Sequence, residues 1–102
     1  MKTFYDLGFS VKNEFIGERA SIYFDNGYGV SVAKGPRTYG GPENLYELAI
    51  LTSNGELCYD TPIADDVIGY LQPEDVTKIM ALVQELSKRD DDPRLFEDGF
   101  IA

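Results

Sequence analysis

Ala20-Ser21-Ile22-Tyr23-Phe24-Asp25-Asn26-Gly27-Tyr28-Gly29-Val30-Ser31-Val32-Ala33 reads as two strands joined by a tight turn. Ala20, Ile22 and Phe24 alternate with Ser21 and Tyr23. After the turn, Tyr28, Val30 and Val32 alternate with Gly29, Ser31 and Ala33. Period 2 on both sides of a break is the pattern of a hairpin with one buried face, which here holds Ile22, Phe24, Val30 and Val32. Asn26-Gly27 suits the break because both residues tolerate positive φ.

The same logic predicts a second hairpin over residues 45–60. Tyr46, Leu48 and Ile50 share a face, Asn54-Gly55 turns the chain, and Leu57 and Tyr59 return. Between the hairpins, Gly35-Pro36-Arg37-Thr38-Tyr39-Gly40-Gly41-Pro42 removes backbone donors and opens positive-φ space, so a loop is expected there. Beyond them, Val76, Ile79, Met80, Val83 and Leu86 fall at helical spacing after Pro73, so Leu71 to Leu86 reads as a capped helix. With Gln72 as its cap, Leu71 and Val76 take the two hydrophobic-staple positions, and Glu74 and Asp75 complement the positive end of the helix dipole. The predicted fold is α+β: a four-stranded antiparallel sheet of two consecutive hairpins, with one C-terminal helix packed on one face.

The chain ends are less patterned. Phe9-Ser10-Val11 reads as a short strand, while Phe4, Tyr5 and Leu7 suit an irregular lid. After Lys88-Arg89 the run Asp90-Asp91-Asp92-Pro93 stops the helix, and Leu95, Phe96, Phe100 and Ile101 follow in acidic company without a period. The division expected is one domain over residues 1–89 and an acidic tail over 90–102, which either folds back or waits for a partner.

At 102 residues and 43% hydrophobic content there is material for one core and too little length for two. The longest uninterrupted apolar run, Ile79 to Val83, is far short of the ~20 residues that a membrane helix needs. The N-terminus lacks the apolar core of a secretory signal, and the lone Cys58 permits no internal disulfide framework, so a cytoplasmic protein is expected. Eighteen acids stand against nine Lys and Arg, for a net charge of −9. From Thr38 to Thr77 the acids are Glu43, Glu47, Glu56, Asp60, Asp65, Asp66, Glu74 and Asp75, with no Lys or Arg among them. Such a surface disfavours direct nucleic-acid or anionic-membrane binding and favours a basic partner.

The absence of histidine removes Ser-His and Cys-His nucleophile pairs and every His-containing metal site, and one Cys cannot build a thiolate zinc cluster. Asp60, Asp65 and Asp66 are close enough in sequence to meet around a divalent cation or to act as an acid and base pair, but carboxylates at such a chain reversal commonly bond turn amides instead. The Asp90-Asp91-Asp92 run lacks the alternating ligands and distal Glu of a calcium loop. Gly27-Tyr28-Gly29 with Lys34-Gly35 resembles a phosphate cradle only superficially, since Val32 stands where the third glycine belongs and no helix start follows. Cys58, with no cationic residue near it in sequence, reads as an inert small residue. No catalytic, cofactor or metal residue is therefore predicted.

With seven tyrosines and six phenylalanines, some rings must be exposed, Tyr23, Tyr39, Tyr46 and Tyr70 being the candidates. Tyr39, in the glycine-proline loop, is either an interface anchor or a ring packed over the sheet edge. Lys34 and Arg37 flank that loop as a compact basic pair, equally suited to surface ion pairs. The partner-binding residues expected are Tyr39, Glu43, Glu47, Asp60, Asp65 and Asp66.

Phe24-Asp25-Asn26-Gly27-Tyr28-Gly29-Val30-Ser31-Val32, Gly35-Pro36, Thr38-Tyr39-Gly40-Gly41, Leu45-Tyr46-Glu47-Leu48-Ala49, Tyr59-Asp60-Thr61-Pro62, Asp66-Val67 and Gly69-Tyr70-Leu71 together resemble a family of small proteins encoded by tailed bacteriophages. The resemblance covers about the middle half of the chain and implies a phage product acting in a bacterial cytoplasm. Small acidic phage proteins are often inhibitors of host machinery, including restriction and CRISPR systems, so the class-level analogy points to a non-enzymatic inhibitor of a host protein with a nucleic-acid-binding surface. The alternatives are a small carboxylate-dependent enzyme built on Asp60, Asp65 and Asp66, and a self-assembling structural piece that pairs through an exposed strand edge.

Overall fold

The first hairpin forms where its alternation places it. In the computed structural model, which describes residues 1–13, 17–64 and 66–87, β2 (Gly17–Tyr23) pairs antiparallel with β3 (Tyr28–Lys34), with Ser21 opposite Ser31 and Ile22 opposite Val30. The turn closes through Phe24 N donating to Tyr28 O at 2.7 Å and Gly27 N donating to Phe24 O at 3.3 Å, with Gly27 at φ 88°. β3 is buried along almost its whole length because it lies in the middle of the sheet, flanked by β2 and β4 (Tyr46–Thr52).

The sheet has five strands, not four. β1 (Ser10–Asn13) pairs with β2, so the stretch around Ser10 and Val11 is a strand. Of the expected irregular lid, Phe4 and Leu7 pack on the core but Tyr5 is exposed, and the segment is a capped 3-10 turn, Phe4–Asp6, lying against the C-terminal helix. Thr3 N donates to Asp6 Oδ2 at 2.7 Å, Phe4 N donates to Thr77 Oγ1 at 3.1 Å, and Gln84 exchanges hydrogen bonds with the backbone of Lys2. These bonds fix the segment along α1 while the Phe4 ring packs on Phe9 and Tyr46.

The second hairpin departs from its predicted course. Gly55 turns the chain at φ 85°, Leu57 bridges Leu51, and Cys58 N donates to Ile50 O at 2.8 Å, after which pairing with β4 stops. Pro62 has no amide to continue the ladder, and Thr61 Oγ1 closes a local turn with the Ala64 backbone. The chain then returns to the same edge as β5 (Ile68–Leu71), which pairs with the first half of β4. The edge of β4 is thus covered by the Leu57 bridge at one end and by β5 at the other. The sheet runs in order β1-β2-β3-β4-β5, antiparallel throughout.

Helix α1 (Pro73–Gln84) begins at the Gln72 cap, where Asp75 Oδ2 accepts from Gln72 N at 3.0 Å. Val76, Met80 and Val83, spaced i, i+4, i+7, are fully buried against Val30, Val32, Leu48 and Ile50, and Leu71 joins Val76 in the same core. Burying each of the three helix side chains contributes about 1.5 to 3 kcal/mol before entropy is set against it. Asn26 in the hairpin turn donates from Nδ2 to Val83 O at 2.8 Å and Leu86 O at 3.0 Å, so the first hairpin ties down the far end of the helix. Among the described residues no helix is long and apolar enough to cross a membrane. The expected tail at 90–102 and the expected site residue Asp65 lie outside the described residues.

Candidate interaction surface

Because α1 covers one face of the sheet, the other face is left to the alternate side chains of each strand. The register arranges them in cross-strand rows: Arg19, Ala33 and Glu47; Ser21, Ser31 and Ala49; Tyr23, Gly29 and Leu51, extended by Leu57. The floor of this face is small while its margins are large. Tyr23 lies across Gly29, where an added Cβ would come within 2.6 Å of its Cδ1, and its hydroxyl reaches toward Gly55. The result is an open trough of about 410 Å3 walled by Tyr23, Leu51 and Leu57 at one end and by Arg19 and Glu47 at the other, with Val67 at its side. Arg19 Nη1 donates to Ser31 Oγ at 3.1 Å, which holds the guanidinium down on the floor.

Beside the trough lies the glycine-proline loop. It is irregular but bonded throughout: Thr38 Oγ1 accepts from Gly35 N and donates to Gly35 O, and a 3-10 turn at Gly41–Glu43 follows. Both backbone groups of Tyr39 are held from outside the loop. Its N–H donates to Glu47 Oε1 at 2.9 Å, and its carbonyl accepts from Tyr70 N at 3.1 Å. Tyr70 stands in a β-bulge, because Tyr46 pairs with Leu71 and Leu48 with Ile68, leaving Gly69 and Tyr70 opposite Glu47 alone. Its φ of 59° is the left-handed conformation that glycine normally takes.

Two glycines make this corner close. A Cβ on Gly69 would collide with the Tyr39 side chain, and one on Gly40, itself at φ 93°, would lie 2.9 Å from the Tyr70 backbone. Each tyrosine therefore sits against a glycine of the other's segment. Tyr39 and Tyr70 each remain 60% exposed, so the rings are displayed while their backbones are locked.

The expected site residues are distributed as follows. Tyr39 and Glu47 are joined directly, and Glu47 also lines the trough. Asp66 accepts from Val67 N at 2.7 Å and flanks a crevice, too narrow for water, that adjoins the trough at Ala49, Leu57 and Val67. Asp60 accepts a hydrogen bond from the buried Cys58 thiol, with Sγ to Oδ1 at 3.0 Å, and Glu43 is exposed at the end of the 3-10 turn. Lys34, expected to flank the loop, is engaged by Glu18 at 3.8 Å, by Asn44 Oδ1 at 2.9 Å and by the Tyr46 ring at 4.7 Å. Among the described residues no three His, Cys, Asp or Glu side chains are grouped so as to hold a metal ion.

Sequence reasoning did not bring Tyr70 to Tyr39, and it did not find the trough. A glycine preceding Tyr70 within a strand is the signal for the bulge. The signal for the trough is that Ser21, Gly29, Ser31, Ala33 and Ala49, the alternates of the buried set, are all small. In comparisons with known proteins, the chain matches no family model, no curated protein and no solved structure.

Proposed function

We propose that this is a non-enzymatic binding protein, a phage product that occupies and inhibits a basic, nucleic-acid-binding surface of a host protein. The observation that carries this reading is the position of Glu47. It lines the uncovered sheet face and at the same time holds the amide of the exposed Tyr39, so an anionic group and an aromatic anchor are fixed side by side on an open surface. The stretch of sequence from Thr38 to Thr77 carries seven further acids and no Lys or Arg. Of the carboxylates on which a carboxylate-dependent enzyme would rest, Asp60 accepts a hydrogen bond from the Cys58 thiol and Asp66 one from the amide of Val67. Charges held on a folded scaffold keep fixed spacings, which is what imitation of a phosphate array requires.

The test is capture of a partner from bacterial cells expressing the protein, followed by competition. Binding is expected to weaken as salt shortens the Debye length below about 10 Å, and nucleic acid is expected to displace the protein. Indifference of the complex to both salt and nucleic acid rules mimicry out, and the charges then serve solubility alone.

A further inference from the structure

We infer that Tyr39 and Tyr70 form a preset aromatic platform for an arginine side chain of the partner. The inference rests on the proposed binding of a basic surface and names the side chain recognised. Three observations lead to it. Tyr70 keeps a left-handed backbone at φ 59° although the residue is 60% exposed, so its side chain contributes little burial to offset a conformation that glycine would take freely. Tyr39 is equally exposed, and its backbone is bonded to Tyr70 on one side and to the Glu47 carboxylate on the other. Gly40 and Gly69 are close-packed against the opposing tyrosines, a fit that fixes where the rings emerge.

Charge selects the occupant. The faces of both rings are electron-rich and Glu47 is bonded to the corner, while Arg19, in the same cross-strand row as Glu47, donates to Ser31 Oγ at 3.1 Å. A guanidinium satisfies both features, because its plane stacks on aromatic faces while its edge pairs with a carboxylate, whereas an ammonium is a compact, strongly hydrated point charge. Arg37, exposed two residues before Tyr39, is the chain's own cation nearest in sequence and opposes such a ligand.

The experiment uses hexa-arginine and hexa-lysine peptides, with the full chain and its variants followed by calorimetry and thermal melting. The full chain is expected to bind hexa-arginine more tightly than hexa-lysine. Tyr39→Ala and Tyr70→Gly should each reduce that preference by about two- to fivefold, the scale of one cation–π contact, and leave hexa-lysine binding nearly unchanged. Arg37→Ala should strengthen binding of both peptides. Tyr70→Gly should also hold or raise the Tm, because it relieves the left-handed strain and loses a mostly exposed ring. A lower Tm for Tyr70→Gly makes the ring a structural part of the bulge and overturns the inference. An arginine preference that survives both tyrosine variants also overturns it, while leaving the acidic binding surface intact. If neither peptide binds the full chain at low salt, the proposed basic partner fails as well.

Discussion

Asn26 shows how much one side chain joins. In sequence it belongs to a turn, where its tolerance of positive φ explains its presence beside Gly27. In the fold its amide also donates to two carbonyls at and just beyond the end of α1, Val83 O and Leu86 O, the first of which also accepts from Leu86 N at 3.2 Å. Asn26→Ala is expected to lower stability by about 1 to 2 kcal/mol through loss of these bonds. Asn26→Asp should cost more, because a carboxylate would face carbonyl oxygens at the negative end of the helix dipole. Urea unfolding of the two variants checks the order, and equal midpoints for Asp, Ala and wild type would show that the cap is idle. Glu47 is a second residue with a double role. Glu47→Gln keeps an acceptor for Tyr39 N and removes the charge, so it should retain the wild-type Tm while weakening partner binding.

At the scale of elements, alternation and helical spacing were sufficient to read β2, β3, β4 and α1, because each shows a period in its sequence; β3 shows it through the contrast of large and small side chains, although both of its faces are buried. The edges were harder. β4 ends at Thr52 in an exposed turn, and its edge partner is divided between a short return at Leu57 and Cys58 and the separate β5. Residues 68–71 carry too short a pattern to be told from a loop, and their pairing depends on how the 59–67 excursion closes. Fixing that pairing depends on Gly69. Gly69→Ala would drive a methyl into Tyr39, and the overpacking is expected to cost about 1 to 3 kcal/mol. Hydrogen exchange should then show the loss concentrated at Tyr39, Tyr70 and Leu71, whereas uniform loss across the sheet contradicts a local clamp. Met80→Ala, by contrast, opens a cavity at the centre of the helix–sheet interface and should cost about 2 to 5 kcal/mol, spread over the whole unfolding transition.

For the molecule as a whole, the prediction concerns charge held at fixed positions. Asp66 is exposed on the excursion that flanks the trough, while residues 90–98 carry five further acids in a separate stretch of sequence. Asp66→Lys should therefore weaken binding to the captured partner more than removal of residues 90–102 does, even though the deletion removes more acids. Titrations of both variants against salt give the comparison. The opposite order would place recognition in the tail.

The sequence by itself determined the class of fold, the central hairpin, the helix with its cap, and the strongly negative balance. All of these depend on composition or on periods within a few residues of one another. It also picked out Tyr39 and Glu47, since a tyrosine between prolines and glycines and a carboxylate on a strand alternate are visible locally. Only the tertiary structure decided that the two are bonded, that Tyr70 joins them across a bulge, and that the small alternates of three strands line up into a trough. Such features arise from register between segments far apart in the chain. Register is set by which edge a strand reaches and by how closely two backbones can approach at Gly40 and Gly69, and no local period encodes either.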